Sequence, residues 1–381
     1  MLRTIETYYE KTSTLAPGTQ IGIKQVVNSF FSYCMEKGIG DPIPFMKKSE
    51  NDCFDLLQDW INWNTNRGLA ASTIRQNFSS LKGFLYYVGI KIVKEDVKAN
   101  LSFPKQLKEE PFPLQLDAVR QILEQTTKKK ALYLTLLSSG LRIGEAVQLR
   151  RKDFDFSKER VMIHIPAKIT KTKTARTTFI SREAASFLST KIRNLADNDL
   201  VFGSNEKVQS ARMNEVVNFE RTLKKADLDQ KYDGINRRKI TLHSFRAFFF
   251  TKAARIHDEN YAHKLTGHGG YLPQYDRLTD EEKLELYITL EPELLVYDQY
   301  KKNAEIEKLQ KEKSELEKRE TEVDNLKENM DKIIDEKIGE YNQKFMKNLE
   351  KMYDEQNLES KKRLDAMDRA FEKKLDEIDK S

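Results

Sequence analysis

Ser139-Gly140-Leu141-Arg142-Ile143-Gly144-Glu145 decides how the middle of this chain is read. The apolar run Ala131 to Leu137 precedes it, and Ala146, Val147 and Leu149 follow at helical spacing. The heptapeptide thus puts an arginine at the glycine-marked entry to a helix. Further along, Leu242-His243-Ser244-Phe245-Arg246 sets an imidazole and a guanidinium on one helix face and leaves Phe245, Phe248 and Phe249 for a core. A third element, Leu265-Thr266-Gly267-His268, is followed by Tyr271, Tyr275 and Tyr287. Taken singly these are ordinary, since an isolated arginine or histidine usually serves as a surface ion-pair or hydrogen-bonding partner. The chain has only five histidines, however, and two of them stand in this order behind Arg142.

The chemistry open to such a set is phosphoryl transfer without metal. A phosphodiester under attack gains negative charge on its non-bridging oxygens. Two guanidiniums hold those oxygens with forked, charge-assisted hydrogen bonds, and arginine stays protonated throughout. Arg142 and Arg246 suit that role. A tyrosine hydroxyl becomes a usable nucleophile when positive charge stabilises the phenolate or a base takes its proton, and His243 and His268 suit the base or phosphate-donor role. A leaving 5′-oxygen needs a proton, which a lysine on a hairpin can give. Arg160 to Ile165 alternates like a strand, Thr177 to Ile180 favours a second, and Lys168, Lys171 and Lys173 fall on the connection between them. No carboxylate cluster or His/Cys spacing suggests a metal site, so no cofactor is expected.

From about Pro113 to Tyr275, this order and spacing resemble the tyrosine recombinase, or integrase, family. In that family an Arg, a hairpin Lys, a His-x-x-Arg, a second His and a Tyr share one active site. The resemblance implies the catalytic set Arg142, Lys171, His243, Arg246, His268 and Tyr275. Lys171-Thr172 best matches the family turn K-T-G-x-x-R, with Lys173 in place of the glycine, so Lys171 and Lys173 both stay open. The family's usual spacing from the second histidine to the nucleophile falls here on Arg277, and three tyrosines compete. Tyr271 sits in a turn too close to His268, and Tyr287 belongs to a helix beginning near Thr279, in step with Leu284 and Ile288, which suits packing. Tyr275 is preferred. The stretch Gly269 to Arg277 is most similar to archaeal integrases.

A recombinase of this kind cuts and rejoins DNA strands of a mobile element through a 3′-phosphotyrosyl link, with four protomers around two duplexes. A type IB topoisomerase-like relaxing enzyme and a non-catalytic DNA-binding coiled-coil scaffold remain as alternatives. Intact Arg142, His243, Arg246 and His268 weigh against the scaffold.

The expected fold is mainly α with a small β-sheet, divided into a helical core-binding domain (1–95), a linker (96–112), a catalytic domain (113–300) and a charged helical tail (301–381). Three amphipathic helices mark the first: Ile23 to Cys34, Phe54 to Ile61, and one capped by Ser72 with Ile74, Phe78, Leu81, Leu85 and Val88 inward. In the resemblance this domain closes over DNA opposite the catalytic one, and the linker crosses the DNA backbone. Residues 301–381 carry 20 Lys/Arg and 23 Asp/Glu, so the chain's net +6 divides into −3 there and +9 on residues 1–300, where DNA is expected to bind. In the tail Leu309, Leu316, Val323 and Met330 recur every seven residues before the stripe changes phase at Ile334, Ile338, Tyr341 and Phe345. A coiled coil and a solvated single helix are both compatible with that pattern. Two cysteines without ligand spacing point to a reducing cytoplasmic setting, on the nucleoid, and no apolar run reaches the roughly 18 residues of a membrane span.

Overall fold

A computed structural model of the chain describes residues 3–203, 207–233, 237–267 and 277–378. By contact density the chain divides into residues 1–301 and 302–381. Six helices open the first unit: α1 (Ile5–Lys11), α2 (Pro17–Glu36), α3 (Pro42–Met46), α4 (Glu50–Asn66), α5 (Ala71–Tyr87) and α6 (Lys94–Asn100). The periodicities read from the sequence lie in α2, α4 and α5, whose inward residues Val27, Phe30, Leu57, Trp60, Ile74 and Leu81 form one core. Phe30 meets Trp60 edge to face at 5.6 Å, and Cys34 and Cys53 are buried in the same core as free thiols.

Two expectations here are corrected. Helix α5 is capped by Ala70 without a side-chain bond, and Ser72 lies inside its first turn. The short connection through Gly68, at φ +76°, brings the chain to helical geometry before Ser72 is reached. The expected linker is in part structured. Helix α6 crosses the 95/96 boundary, Leu101 is buried in the N-terminal core, and Phe103 packs against Phe78 at 5.2 Å. Exposed chain without regular structure runs from Lys105 to Pro113, after which a second core begins at Leu114.

That core is built by α7 (Leu116–Glu124), α8 (Lys130–Ser139), α9 (Ile143–Ala146), strands β1 (Phe154–Asp155), β2 (Met162–Ile165) and β3 (Arg176–Phe179), then α10 (Arg182–Ile192), α11 (Val208–Lys225), α12 (Leu242–Ile256), α13 (Glu259–Thr266) and α14 (Asp280–Leu290). The strands form an antiparallel sheet in sequence order, with Ile163 opposite Phe154 on one side and Thr178 on the other. The two expected strands are present. β1, only two residues long, carries too little pattern to be read in advance.

Helix α8 is central. Every residue from Ala131 to Ser139 is buried, as expected of a helix apolar all round. Such a helix must place its last carbonyls with care, because no further turn donates N–H groups to them. Tyr287 Oη donates to Ser138 O at 2.7 Å, Thr178 Oγ1 donates to Ser139 O at 2.8 Å, and Arg246 donates to Gly140 O. Gly140 closes the helix at φ +63°, in the left-handed region that glycine enters without a Cβ penalty.

The helix entered at Arg142 is shorter than its apolar spacing suggests. α9 ends at Ala146, and Leu149 is buried by another route: its carbonyl accepts Val201 N at 3.0 Å, and Arg150 bridges to Leu200. Past η-turn residues Glu291–Leu294, the last helix, α15 (Asp298–Ile378), spans 81 residues. Within it Leu309, Leu316, Val323 and Met330 are 48–62% exposed, so their stripe is uncovered in the single chain.

Candidate active site

The left-handed turn at Gly140 delivers Arg142 to the N-cap of α9, where its side chain is partly exposed. Arg142 Nη1 donates to Glu145 Oε1 at 3.0 Å, and its backbone N donates to Glu145 Oε2 at 3.0 Å. Glu145 is buried and also receives a fork from Arg176, Nη2 to Oε2 at 2.7 Å and Nη1 to Oε1 at 3.1 Å. Burial alone would raise the Glu145 carboxyl. Hydrogen bonds and charge from Arg176, then Arg142, outweigh it and hold the group below the usual carboxylate range.

Arg246 is 1% exposed on α12, over the aromatic core formed by Phe245, Phe248 and Phe249. Its Nη1 donates to Gly140 O and its Nη2 to Thr266 O, so the C-termini of α8 and α13 both present carbonyls to it. Its Nε makes no hydrogen bond among the described residues. Burial first, then repulsion from Arg142 and Arg176, push this guanidinium down to about 9, which leaves it protonated at neutral pH. Carbonyls orient the group without neutralising it. The cluster therefore holds three guanidiniums against one carboxylate, and each Nη of Arg246 keeps a second N–H.

His243, one helical turn before Arg246, is exposed. Its imidazole is held below the usual histidine range, first by desolvation and then by the positive charge of Arg246, Arg142 and Arg237. It is therefore neutral at neutral pH and able to accept a proton. Together with Ile143, Arg212, Phe219 and Arg238 it lines a cleft of 280 Å³ between α9 and α11.

Three of the four arginine and histidine positions read from the sequence thus converge: Arg142, His243 and Arg246. Lys171 does not join them. It is exposed on the β2–β3 connection, outside the hydrogen-bonded group of Arg142, Glu145 and Arg176. Lys173, in the place of the family's turn glycine, adopts φ +56°, the left-handed conformation that glycine would favour, and its Nζ donates to Lys168 O at 3.1 Å. His268, Tyr271 and Tyr275 lie outside the described residues. Before them α13 ends at Thr266, and Gly267 caps it at φ +69°. Tyr287 is fully buried against Phe179, its hydroxyl occupied by Ser138 O, and burial raises its pKa well above the usual phenol value. It is a packing residue.

Sequence reading left Arg176 without a role: it stands at the arginine of the K-T-G-x-x-R turn, but its pairing with Glu145 joins positions 31 residues apart and has no local signature.

Residues 113–270 match the model of the phage integrase family. TTE1313 of Caldanaerobacter subterraneus subsp. tengcongensis, a protein named as a tyrosine recombinase, is 25% identical over 164 residues, which are 41% of this chain and 54% of that one. Tyrosine recombinase XerC of Chlamydia pneumoniae is 32% identical over 104 residues, 25% of this chain and 33% of that one. The chain thus spans about half or less of the length of these relatives. Among solved structures, the Tn1549 transposon integrase in complex with transposon right end DNA superposes with a TM-score of 0.52 at 18% identity, over 74% of this chain and 96% of that one, which is a likeness of fold. With Arg142, His243 and Arg246 set as described and the family's model matched across them, residues 113–270 are the part of the chain that is similar to the phage integrase family and to these tyrosine recombinases.

Proposed function

We propose that the protein is a site-specific DNA recombinase that breaks and rejoins strands through a 3′-phosphotyrosyl intermediate. The observation that carries this reading is Arg246: a buried guanidinium, held by two helix-terminal carbonyls and, among the described residues, by no carboxylate, facing a cluster with a surplus of positive charge. A scissile phosphate supplies the missing negative charge, and it gains more as the transition state forms.

In this mechanism Arg142 and Arg246 hold the two non-bridging oxygens. The Tyr275 hydroxyl attacks phosphorus, giving its proton to neutral His243 or to His268. The bond from phosphorus to the 5′-oxygen breaks, and that oxygen takes a proton from Lys171. The phosphotyrosyl ester conserves the bond energy, so a second 5′-hydroxyl reverses the step without ATP. The arginines supply the charge that a metal ion would otherwise bring.

The N-terminal helices, α6 included, would form the second half of a clamp on double-stranded DNA, with the exposed stretch from Lys105 to Pro113 as linker, the rest of the chain to residue 300 as catalytic domain and residues 301–381 as tail. The positive balance of residues 1–300 supports binding to a polyanion. The assembly would be a tetramer on two duplexes, in the cytoplasm on the nucleoid, and the uncovered stripe of α15 would support self-association as a coiled coil. No helix among the described residues is long and apolar enough to cross a membrane.

The test is covalent capture. The protein is incubated, in chelator, with nicked duplexes of randomised sequence, from which the short cleaved fragment diffuses away. A protein–DNA adduct on denaturing electrophoresis, absent in Tyr275→Phe, supports the reading, and sequencing of the captured DNA yields the site. No adduct from any sequence, or an adduct strictly dependent on added divalent metal, refutes it.

A further inference from the structure

Arg176 touches three parts of the site yet belongs to none of the proposed catalytic steps. It opens β3, five residues after Lys171. Its two Nη atoms fork onto Glu145, and its Nε donates to Leu265 O at 2.9 Å in the last turn of α13. Its side chain also lies over Gly267, where an added Cβ would stand 2.9 Å from Arg176 Cδ and 3.0 Å from its Nη1. The side chain is 7% exposed, so these contacts are made out of water.

The bonds at Glu145 give the reason this matters. Each carboxylate oxygen accepts one bond from Arg176 and one from Arg142, and only one of the two Arg142 bonds uses the guanidinium. A buried carboxylate released by Arg176 would seek a second guanidinium N–H, and Arg142 is the cation already in contact. Arg142 would then turn its fork inward, and the phosphate would lose it. We infer that Arg176 is a positioning residue: by occupying Glu145 it limits Arg142 to a single guanidinium bond there and leaves the remaining Arg142 N–H groups for phosphate, and by holding Leu265 and Gly267 it sets the end of α13 from which His268 follows. The inference rests on the proposed strand-cleaving function.

The variants are Arg176→Lys, which keeps the charge but cannot fork, and Arg176→Ala. The rate of adduct formation is measured in a single turnover on the captured duplex carrying either an ordinary phosphate or a methylphosphonate at the scissile position. The methylphosphonate lacks one anionic oxygen and so depends less on an arginine fork. Both variants are expected to slow cleavage of the phosphate, Arg176→Ala by about 100-fold. DNA affinity should stay within about twofold, because it is spread over many contacts. On methylphosphonate the loss should shrink several-fold, and the same is expected of Arg142→Ala. Equal losses on the two substrates, or none on either, would overturn the inference by making Arg176 a merely structural or idle residue. Should Arg176→Ala fail to fold by circular dichroism, Arg176→Lys carries the same comparison.

Calorimetric titration with inorganic phosphate gives a readout that needs no chemistry. Weaker binding to Arg176→Lys than to wild type supports the inference, and equal binding overturns it. If the wild-type protein binds phosphate but forms no adduct, the proposed function fails and this titration still decides the role of Arg176.

Discussion

Replacing Gly140 with alanine tests the hinge of the site. Gly140 stands at φ +63°, and a Cβ there would come 2.5 Å from Phe249 Cδ1 and 3.0 Å from Thr266 Cγ2. A left-handed alanine costs roughly 1–2 kcal/mol. Forcing a methyl group between two packed side chains costs roughly 1–3 kcal/mol more. The less flexible unfolded chain returns roughly 0.4–1 kcal/mol. The net loss is about 1–4.6 kcal/mol, a sizeable part of the roughly 5–15 kcal/mol that holds a domain folded. Function should suffer as well. Gly140 O and Thr266 O are the two acceptors that hold Arg246, and the new methyl pushes against Thr266 itself. A displacement of roughly 1 Å at a phosphate-binding group costs about 100-fold in rate.

Gly22→Ala, in the interior of α2 with no atom within 4 Å of the added Cβ, is the matched control and should stabilise by roughly 0.5–1 kcal/mol. Urea unfolding followed by circular dichroism measures both variants, and hydrogen exchange locates the loss in α8 and α12. Trp60 and Trp63 report only on the N-terminal core, so their fluorescence is a reference rather than the readout. If Gly140→Ala unfolds within about 0.5 kcal/mol of wild type and forms adduct at the same rate, the account of the hinge is wrong.

Tyr287→Phe should cost about 1 kcal/mol for the lost bond to Ser138 O and still form adduct, whereas Tyr275→Phe should bind DNA and form none; peptide mapping of the DNA to Tyr287 would refute the assignment. His243 should set an acid limb in the single-turnover rate that lies below pH 6.5, because its folded pKa is depressed from that value; the stability that goes with its neutral form is likewise lost as pH falls below 6.5 toward the folded pKa, and a limb displaced above pH 6.5 would contradict the field assigned to the three arginines. Truncation after Lys301 should leave cleavage intact and change self-association, since the proposed catalytic residues precede it; a folded truncate that sediments and recombines like the full chain would remove the tail from assembly.

Much of the site was legible because its signals are local. Arg142 follows a glycine that ends one helix, and His243 and Arg246 share a helix at i, i+3, so a few adjacent residues suffice to propose them. The amphipathic stripes of α2, α4 and α5 and the long polar helix of the tail are legible for the same reason, and so is the packing role of Tyr287 in step with Leu284. The turn at Lys173 shows the limit of that reading. Its departure from glycine was evident, but that lysine takes up the glycine's left-handed conformation is a property of the folded hairpin.

Tertiary structure alone decided the rest. Leu149 leaves its helix because Val201 offers its carbonyl a partner, and α6 attaches part of the expected linker to the N-terminal core. The end of α8 is held by side chains from β3, α12 and α14, with Arg246 106 residues and Tyr287 149 residues away from their acceptors. Arg176 meets Glu145 across 31 residues and Leu265 across 89. A periodic pattern records which face of a segment turns inward. Which distant carbonyl or carboxylate waits there is set only when the elements pack, because a buried polar group must find its partner in three dimensions.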